Sequence, residues 1–154
     1  MTSPGIRFDN GAAYESYMGV WSRLVGNAFL DWLDAPGRLR WLDVGCGNGA
    51  FTQMLAQRCQ PASLDGIDPA AAMLDFARSV PALREARLQQ GNAMALPYAD
   101  DSFDAAVMPL VIFFVPEPAQ GVAENGARGR TRRPRHRLRM GHGRRRLSLP
   151  AGAR

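Results

Sequence analysis

The residues with the most chemical promise are concentrated in WLDVGCGNGAF, residues 41–51. Apolar Trp41, Leu42 and Val44 run straight into Gly45, Gly47 and Gly49, after which helix-like spacing resumes. A strand that passes through such a loop into a helix sets bare backbone beside the positive helix N-terminus, where a polar ligand can approach closely. Asp43 stands two residues before the first glycine, at the carboxyl end of that strand. A carboxylate there can meet an ammonium group but would repel a pyrophosphate. Asp68 ends the next strand-like stretch, SLDGID, where its two oxygens can accept both hydroxyls of a ribose. Gly45, Gly47 and Ala50 also satisfy the G-x-G-x-x-G/A dinucleotide pattern, which keeps a nicotinamide-binding module open. The remaining reactive types read as packing or solvent-facing groups. Cys46 and Cys59 lack zinc or redox spacing, and each reads as a small apolar residue. Asp100, Asp101 and Asp104 in PYADDSFD read as a solvated turn before a strand, with Asp104 fixing the strand's start; no metal site is expected.

Elements that would hold these groups follow from periodicity. Tyr14, Tyr17, Met18, Trp21, Leu24, Val25, Ala28, Phe29 and Trp32 recur at steps of three and four, predicting an amphipathic helix over 14–33 with Gly19 as its weak point. The turn Ala35-Pro36-Gly37 then leads into RLRWLDV, a strand, and AFTQMLAQRC, a helix. SLDGID is a second strand, and PAAAMLDFARSV a second core helix with Pro69 in its first turn. ARLQQGNA is a weaker third strand, and FDAAVMPLVIFFV opens as a fourth. Strands alternating with helices place the chain in the α/β class, with a parallel sheet covered on both faces.

In order and spacing, LDVGCGNGAFT, GIDPAAAMLDFAR and QGNAMALPYADDSFDAAVM resemble the class I S-adenosylmethionine-dependent methyltransferases, in the small-domain group that includes the ubiquinone-biosynthesis C-methyltransferases. YESYMGVWSR is similar to the helix preceding the core in that group. The resemblance implies a Rossmann-like sheet and S-adenosyl-L-methionine as cofactor. It implies Gly45, Cys46 and Gly47 along the methionine moiety, Asp43 near its amino group, and Gly49 where the loop passes into the helix. Asp68 would take the ribose hydroxyls, Pro69 and Met73 would border the adenine, and the Ala93 amide would face a ring nitrogen. Asn92 stands where the family usually has Asp against the adenine amino group, and its carbonyl oxygen can still accept that bond. Pro109 and Leu110 are implied near the reactive methyl, at the end of the fourth strand. The first helix is implied over the cofactor cleft, which makes Tyr14, Tyr17 and Arg23 candidates for lining the substrate, although periodicity alone assigns its stripe to the core. An activated sulfonium needs an acceptor held close and water excluded, so no catalytic side chain is assigned.

Charge separates the chain into two parts. Residues 1–124 hold eight arginines and fourteen carboxylates, a net of −6, whereas residues 125–154 hold eleven arginines and no acid. There is no lysine at all, and the heavy use of Ala, Gly, Arg and Pro fits a GC-rich gene. With no secretory h-region and no apolar run of about 18 residues, a soluble cytoplasmic protein without membrane contact is expected. Family members continue past VPEPAQGVAE with a helix, a proline-glycine-glycine turn and a fifth strand; NGARGRTRRPRHRLRM has neither periodicity. Removing one adenine after the Glu124 codon permits a continuation beginning MARVVAPGGPVTAYAW, which supplies those missing features. The arginine-rich segment therefore reads as out of frame.

The expected organisation is a helical cap over 1–36, the cofactor-binding half of a methyltransferase domain over 37–124, and an out-of-frame, disordered tail over 125–154. A complete domain of this class has seven strands, and here only the first four and the following helix are expected, leaving the fourth strand's edge open. The leading functional reading is methyl transfer from S-adenosylmethionine to a small-molecule acceptor, with the acceptor-pocket contributions beyond the fourth strand missing. Two other readings stay open: a nucleic-acid-binding protein or RNA methyltransferase using the basic tail, and a nicotinamide-dependent oxidoreductase. The acidic core argues against specific nucleic-acid contact. The oligomeric state is not legible.

Overall fold

A computed structural model describes the backbone of residues 11–129 and the side chains of residues 21–129. The chain forms α1 (Gly11–Leu33), β1 (Arg40–Val44), α2 (Ala50–Arg58), β2 (Ser63–Asp68), α3 (Ala71–Ser79), β3 (Arg87–Gln90), β4 (Ala105–Val107) and α4 (Pro118–Arg128), with short 3-10 turns at Pro81–Leu83 and Ile112–Phe114. The four strands make one sheet in the order β3-β2-β1-β4. All three pairings are parallel, with Asp43 opposite Gly66 on one side and Val107 on the other. The α/β expectation and its four parallel strands are thus realised.

Alternation along β1 divides the core. Trp41 joins Leu30, Phe51, Met54, Leu55 and Leu64 beneath α1 and α2, while Leu42 and Val44 join Ile67, Leu96 and Phe103 on the opposite face. Asp43 shares Trp41's side, facing α2. Two bidentate ion pairs stitch the strands at the end away from the glycine loop: Arg40 with Asp104 across β1 and β4, and Arg87 with Asp65 across β3 and β2. Asp104 also accepts the Arg40 amide at 3.0 Å, so it fixes where β4 starts.

Four details differ from the sequence expectation. First, α1 is unbroken through Gly19, and its buried face is rotated from the expected stripe. Leu30 and Gly26 face inward, while Trp21, Leu24, Val25 and Trp32 are 66%, 58%, 51% and 74% exposed. The cause is Gly26: a Cβ there would stand 3.0 Å from the Met54 sulfur and 3.1 Å from Phe51, so the helix packs on α2 through its smallest residue. Second, Pro69 precedes the helix, since Ala70 is the N-cap of α3. Third, β4 stops at Val107. Pro109 has no amide to extend the ladder and Leu110 takes φ 59°, so the apolar VIFFV coils over the sheet's end.

The fourth difference concerns the tail. Residues 125–128 complete the last turn of α4, so the expected loss of order does not begin at 125. Nor is the β4 edge bare. The Asp101 and Phe103 amides donate to the Ala127 and Arg128 carbonyls at 3.0 and 3.1 Å, Phe103 bridges Gly129, and Asn125 Nδ2 donates to the Ala106 carbonyl at 3.3 Å. The rest of the expected tail, 130–154, lies outside the described residues. Among the described residues no helix is long and apolar enough to cross a membrane.

Candidate functional site

The glycine loop has the backbone that its composition implies. Gly45, Gly47 and Gly49 adopt φ of 75°, 53° and 83°, the left-handed region that side chains resist. A Cβ on Gly45 would stand 2.5 Å from Val111, and one on Gly49 2.5 Å from Leu83. The loop is tied down from β2: the Gly45 and Cys46 amides both donate to the Ile67 carbonyl, at 2.7 and 3.1 Å. The Asp68 carboxylate accepts the Gly47 amide through Oδ2 and the Ala70 amide through Oδ1, both at 2.9 Å. One side chain therefore joins the loop to the start of α3.

A cavity of about 1350 Å³ opens at the carboxyl ends of the strands, where the sheet order reverses between β2-β1 and β4. Asp43, Gly45, Cys46 and Gly47 line it. So do Asp68, Pro69 and Met73 at and after the end of β2, Asn92 and Ala93 after β3, and Pro109 and Leu110 after β4. Eleven of the twelve expected cofactor-side positions thus border one space. Gly49 does not line it; its part is to start α2 and press against Leu83 and Ala77. Arg23 is also absent from the wall and is exposed, because Ser22, Gly26 and Phe29 occupy the helix face turned inward. Tyr14 and Tyr17 lie on α1, but their side chains fall outside the described residues.

Asp43 sits in an electrostatically costly position. It is 1% exposed; Oδ2 accepts the Thr52 hydroxyl at 2.7 Å, and Oδ1 is buried without a hydrogen-bond partner among the described residues. Burial pushes its carboxyl up to about 7, opposed by the Thr52 bond and assisted by the negative Asp68 nearby. Burial likewise raises Asp68, against the pull of the Ala70 and Gly47 amides. Cys46 is raised as well, first by burial and then by the charges of Asp43 and Asp68, so it remains a thiol. No arginine or histidine among the described residues lines the cavity. Two buried carboxylates without a cation beside them call for a ligand that is cationic at one end and rich in hydroxyl donors at the other.

Several contributors escaped the sequence reading. Thr52 belongs to a helix that looks merely amphipathic, and its link to Asp43 appears only once β1 and α2 are packed. Val25 and Phe29 of α1 and Val111, Phe113 and Phe114 after β4 give the cavity its apolar side. Phe113 is 85% exposed overall. Asn92 closes a small turn, its Oδ1 accepting the Met94 amide at 2.9 Å. Two of the three aspartates of PYADDSFD pair with arginines, Asp100 with Arg128 and Asp104 with Arg40.

Comparison with known proteins adds the following. The model of a family described as a methyltransferase domain matches residues 42–125. The biotin biosynthesis bifunctional protein BioHC of Cellvibrio japonicus is 42% identical over 102 residues, 66% of this chain and 20% of that protein. The chloroplastic 2-methyl-6-phytyl-1,4-hydroquinone methyltransferase 2 of Oryza sativa is 32% identical over 107 residues, 69% of this chain and 31% of its own length. The chain thus spans between a fifth and a third of these relatives. Among solved structures, a chain from the complex between the Haloferax volcanii Trm112 methyltransferase activator and a methyltransferase shares the fold, with a TM-score of 0.67, 22% identity, and coverage of 82% of this chain and 57% of the other.

Proposed function

We propose a function from one premise: the chain belongs to the S-adenosylmethionine-dependent methyltransferase family. The reading is that the cavity binds S-adenosyl-L-methionine and presents its methyl group to a small-molecule acceptor. The observation that carries it is Asp43, a buried carboxylate at the foot of the glycine loop with one oxygen that has no partner among the described residues. An ammonium group supplies the missing partner there. Asp68, which also lines the cavity, keeps lone pairs on both oxygens beyond its two amide bonds, which suits a ribose diol. Met73 and Ala93 offer the apolar and backbone surfaces a purine needs.

When bound, the cofactor supplies a methyl already activated by its sulfonium. The chain's own residues then bind, orient and exclude water. Val25, Phe29, Val111, Phe113 and Phe114 support an acceptor with sizeable apolar surface, of the kind the hydroquinone in the rice relative's name represents. Among the described lining residues the titratable groups are Asp43, Cys46 and Asp68, all on the loop side of the cavity. With no base among the described residues on the apolar side, the reading favours an acceptor that is itself a ready nucleophile.

Calorimetry of the chain against S-adenosylmethionine and against NAD tests this. Heat of binding with the former and none with the latter is expected, since two buried carboxylates oppose a pyrophosphate. Silence with S-adenosylmethionine sinks the proposal; binding of NAD instead revives the dinucleotide reading.

A further inference from the structure

We infer that one face of α4 is a positioning clamp for the cofactor loop: Gln120, Glu124 and Arg128, four residues apart, grip the backbone of residues 94–96 from outside the cavity. Gln120 Nε2 donates to the Met94 carbonyl at 2.8 Å. Glu124 Oε2 accepts the Leu96 amide at 2.9 Å, and Arg128 Nη2 donates to the Leu96 carbonyl at 3.2 Å. Arg128 also donates to Glu124 at 2.9 Å and pairs with Asp100, so the clamp is tied to the turn before β4. The inference rests on the cofactor reading above and deepens it.

Three features separate a clamp from ordinary helix packing. The loop satisfies itself only in part: Met94 and Ala95 amides close on Asn92, leaving the Met94 carbonyl and both polar groups of Leu96 to α4. Buried backbone groups must find partners, so α4 fixes the loop's height above the sheet. The loop's other side is the cavity wall, formed by Gly91, Asn92, Ala93 and Met94, whereas Gln120, Glu124 and Arg128 line no part of it. Leu96 is 4% exposed and seated among Leu42, Val44 and Phe103, which gives the grip a rigid footing. The i, i+4, i+8 spacing is what lets a single helix face supply all three contacts. Arg128, counted by composition with the arginine-rich tail, is only 13% exposed at its side chain and belongs to the fold.

The test compares wild type with Glu124→Ala, Glu124→Gln and Gln120→Ala in the full chain. Amide exchange without ligand is measured at Leu96, and calorimetry is run with S-adenosylhomocysteine and with 5′-methylthioadenosine, which carries the adenosine but no amino acid. Loss of the Leu96 bond together with the Arg128 ion pair should weaken both ligands about tenfold in Glu124→Ala and speed Leu96 exchange by at least a similar factor. Glu124→Gln keeps an acceptor for Leu96 and should recover most of both effects. Gln120→Ala, at an exposed contact, should weaken both ligands about twofold to threefold without lowering the melting temperature. A purely structural α4 would change melting alone; unaltered affinities and Leu96 exchange in folded Glu124→Ala overturn the clamp. A wild-type chain that binds neither ligand overturns the cofactor reading instead, and the clamp's purpose with it.

Discussion

Burying a carboxylate costs more than burying the amide that would fill the same space, so Asp43 weighs on the folded chain before any ligand arrives. Its carboxyl rises from 3.8 to about 7 on folding, chiefly through desolvation. Between those values the folded state holds the proton more tightly than the unfolded one. Stability from this group is therefore greatest below about pH 4, falls as pH climbs toward 7, and is level above. Asp43→Asn retains an acceptor for Thr52 and removes the charge. The variant should melt above wild type at pH 8, with the gap closing by pH 4 in thermal scans. It should also bind S-adenosylmethionine at least tenfold more weakly, since the ammonium loses its ionic partner. In wild type the same proton must leave before an ammonium ligand is held, so calorimetric affinity should fall as pH drops below 7, by up to about tenfold per unit. Asp43 and Asp68 could be named from their places at strand ends. Thr52 could not, because nothing in AFTQMLAQR distinguishes a hydroxyl that holds a carboxylate from one that fills space.

Among the elements, strands and helices were legible because apolar period and glycine punctuation agreed over 38–93. What period could not give was the face of α1. The stripe of large apolar residues pointed to Trp21, Leu24 and Trp32, but close approach to α2 selects Gly26 and its neighbours. Substitution can separate the two. Leu30→Ala should cost about 2–5 kcal/mol in urea unfolding, whereas Trp32→Gln, with its ring outside against Phe29, should cost about 1 kcal/mol or less. The loop offers a second contrast. Gly49→Ala meets both a φ of 83° and a Leu83 methyl at 2.5 Å, and should lose about 2 kcal/mol or more. Gly37→Ala has only the Cys59 carbonyl at 3.8 Å and should be close to neutral by the same measurement. The shift in where β4 ends has a comparable origin: the strand is expected to reach Pro109 and Leu110, but Pro109 has no amide for the ladder and pairing stops at Val107.

For the whole molecule, charge misleads unless it is located. The net of +5 is the difference between +11 on residues 125–154 and −6 on the preceding 124. A chain ending after residue 129 should keep its affinity for S-adenosylmethionine within about twofold and should lose retention on a polyanion column. The full chain's retention should fall steeply with added salt, as counterion release requires. Cofactor binding that vanishes with residues 130–154 would return those arginines to the functional argument. Composition marked the segment as foreign to the preceding pattern, yet it drew the boundary through α4, because Asn125 and Arg128 look like tail and act as helix. Contacts from distant sequence, Arg128 with Leu96 and Asp100, decide that, and a single-sequence reading has no access to them.

The two hydrogen bonds that Asp68 accepts from the Gly47 and Ala70 amides bear on time rather than strength. A glycine-rich segment left to itself samples many shapes, and a ligand that had to select one would arrive slowly and forfeit entropy in doing so. Here the loop is already held in its left-handed turns by the protein's own carboxylate. Capture should then run at the rate of ordinary encounter, with little change in heat capacity beyond the surface covered, and the lifetime of the complex should be set by departure.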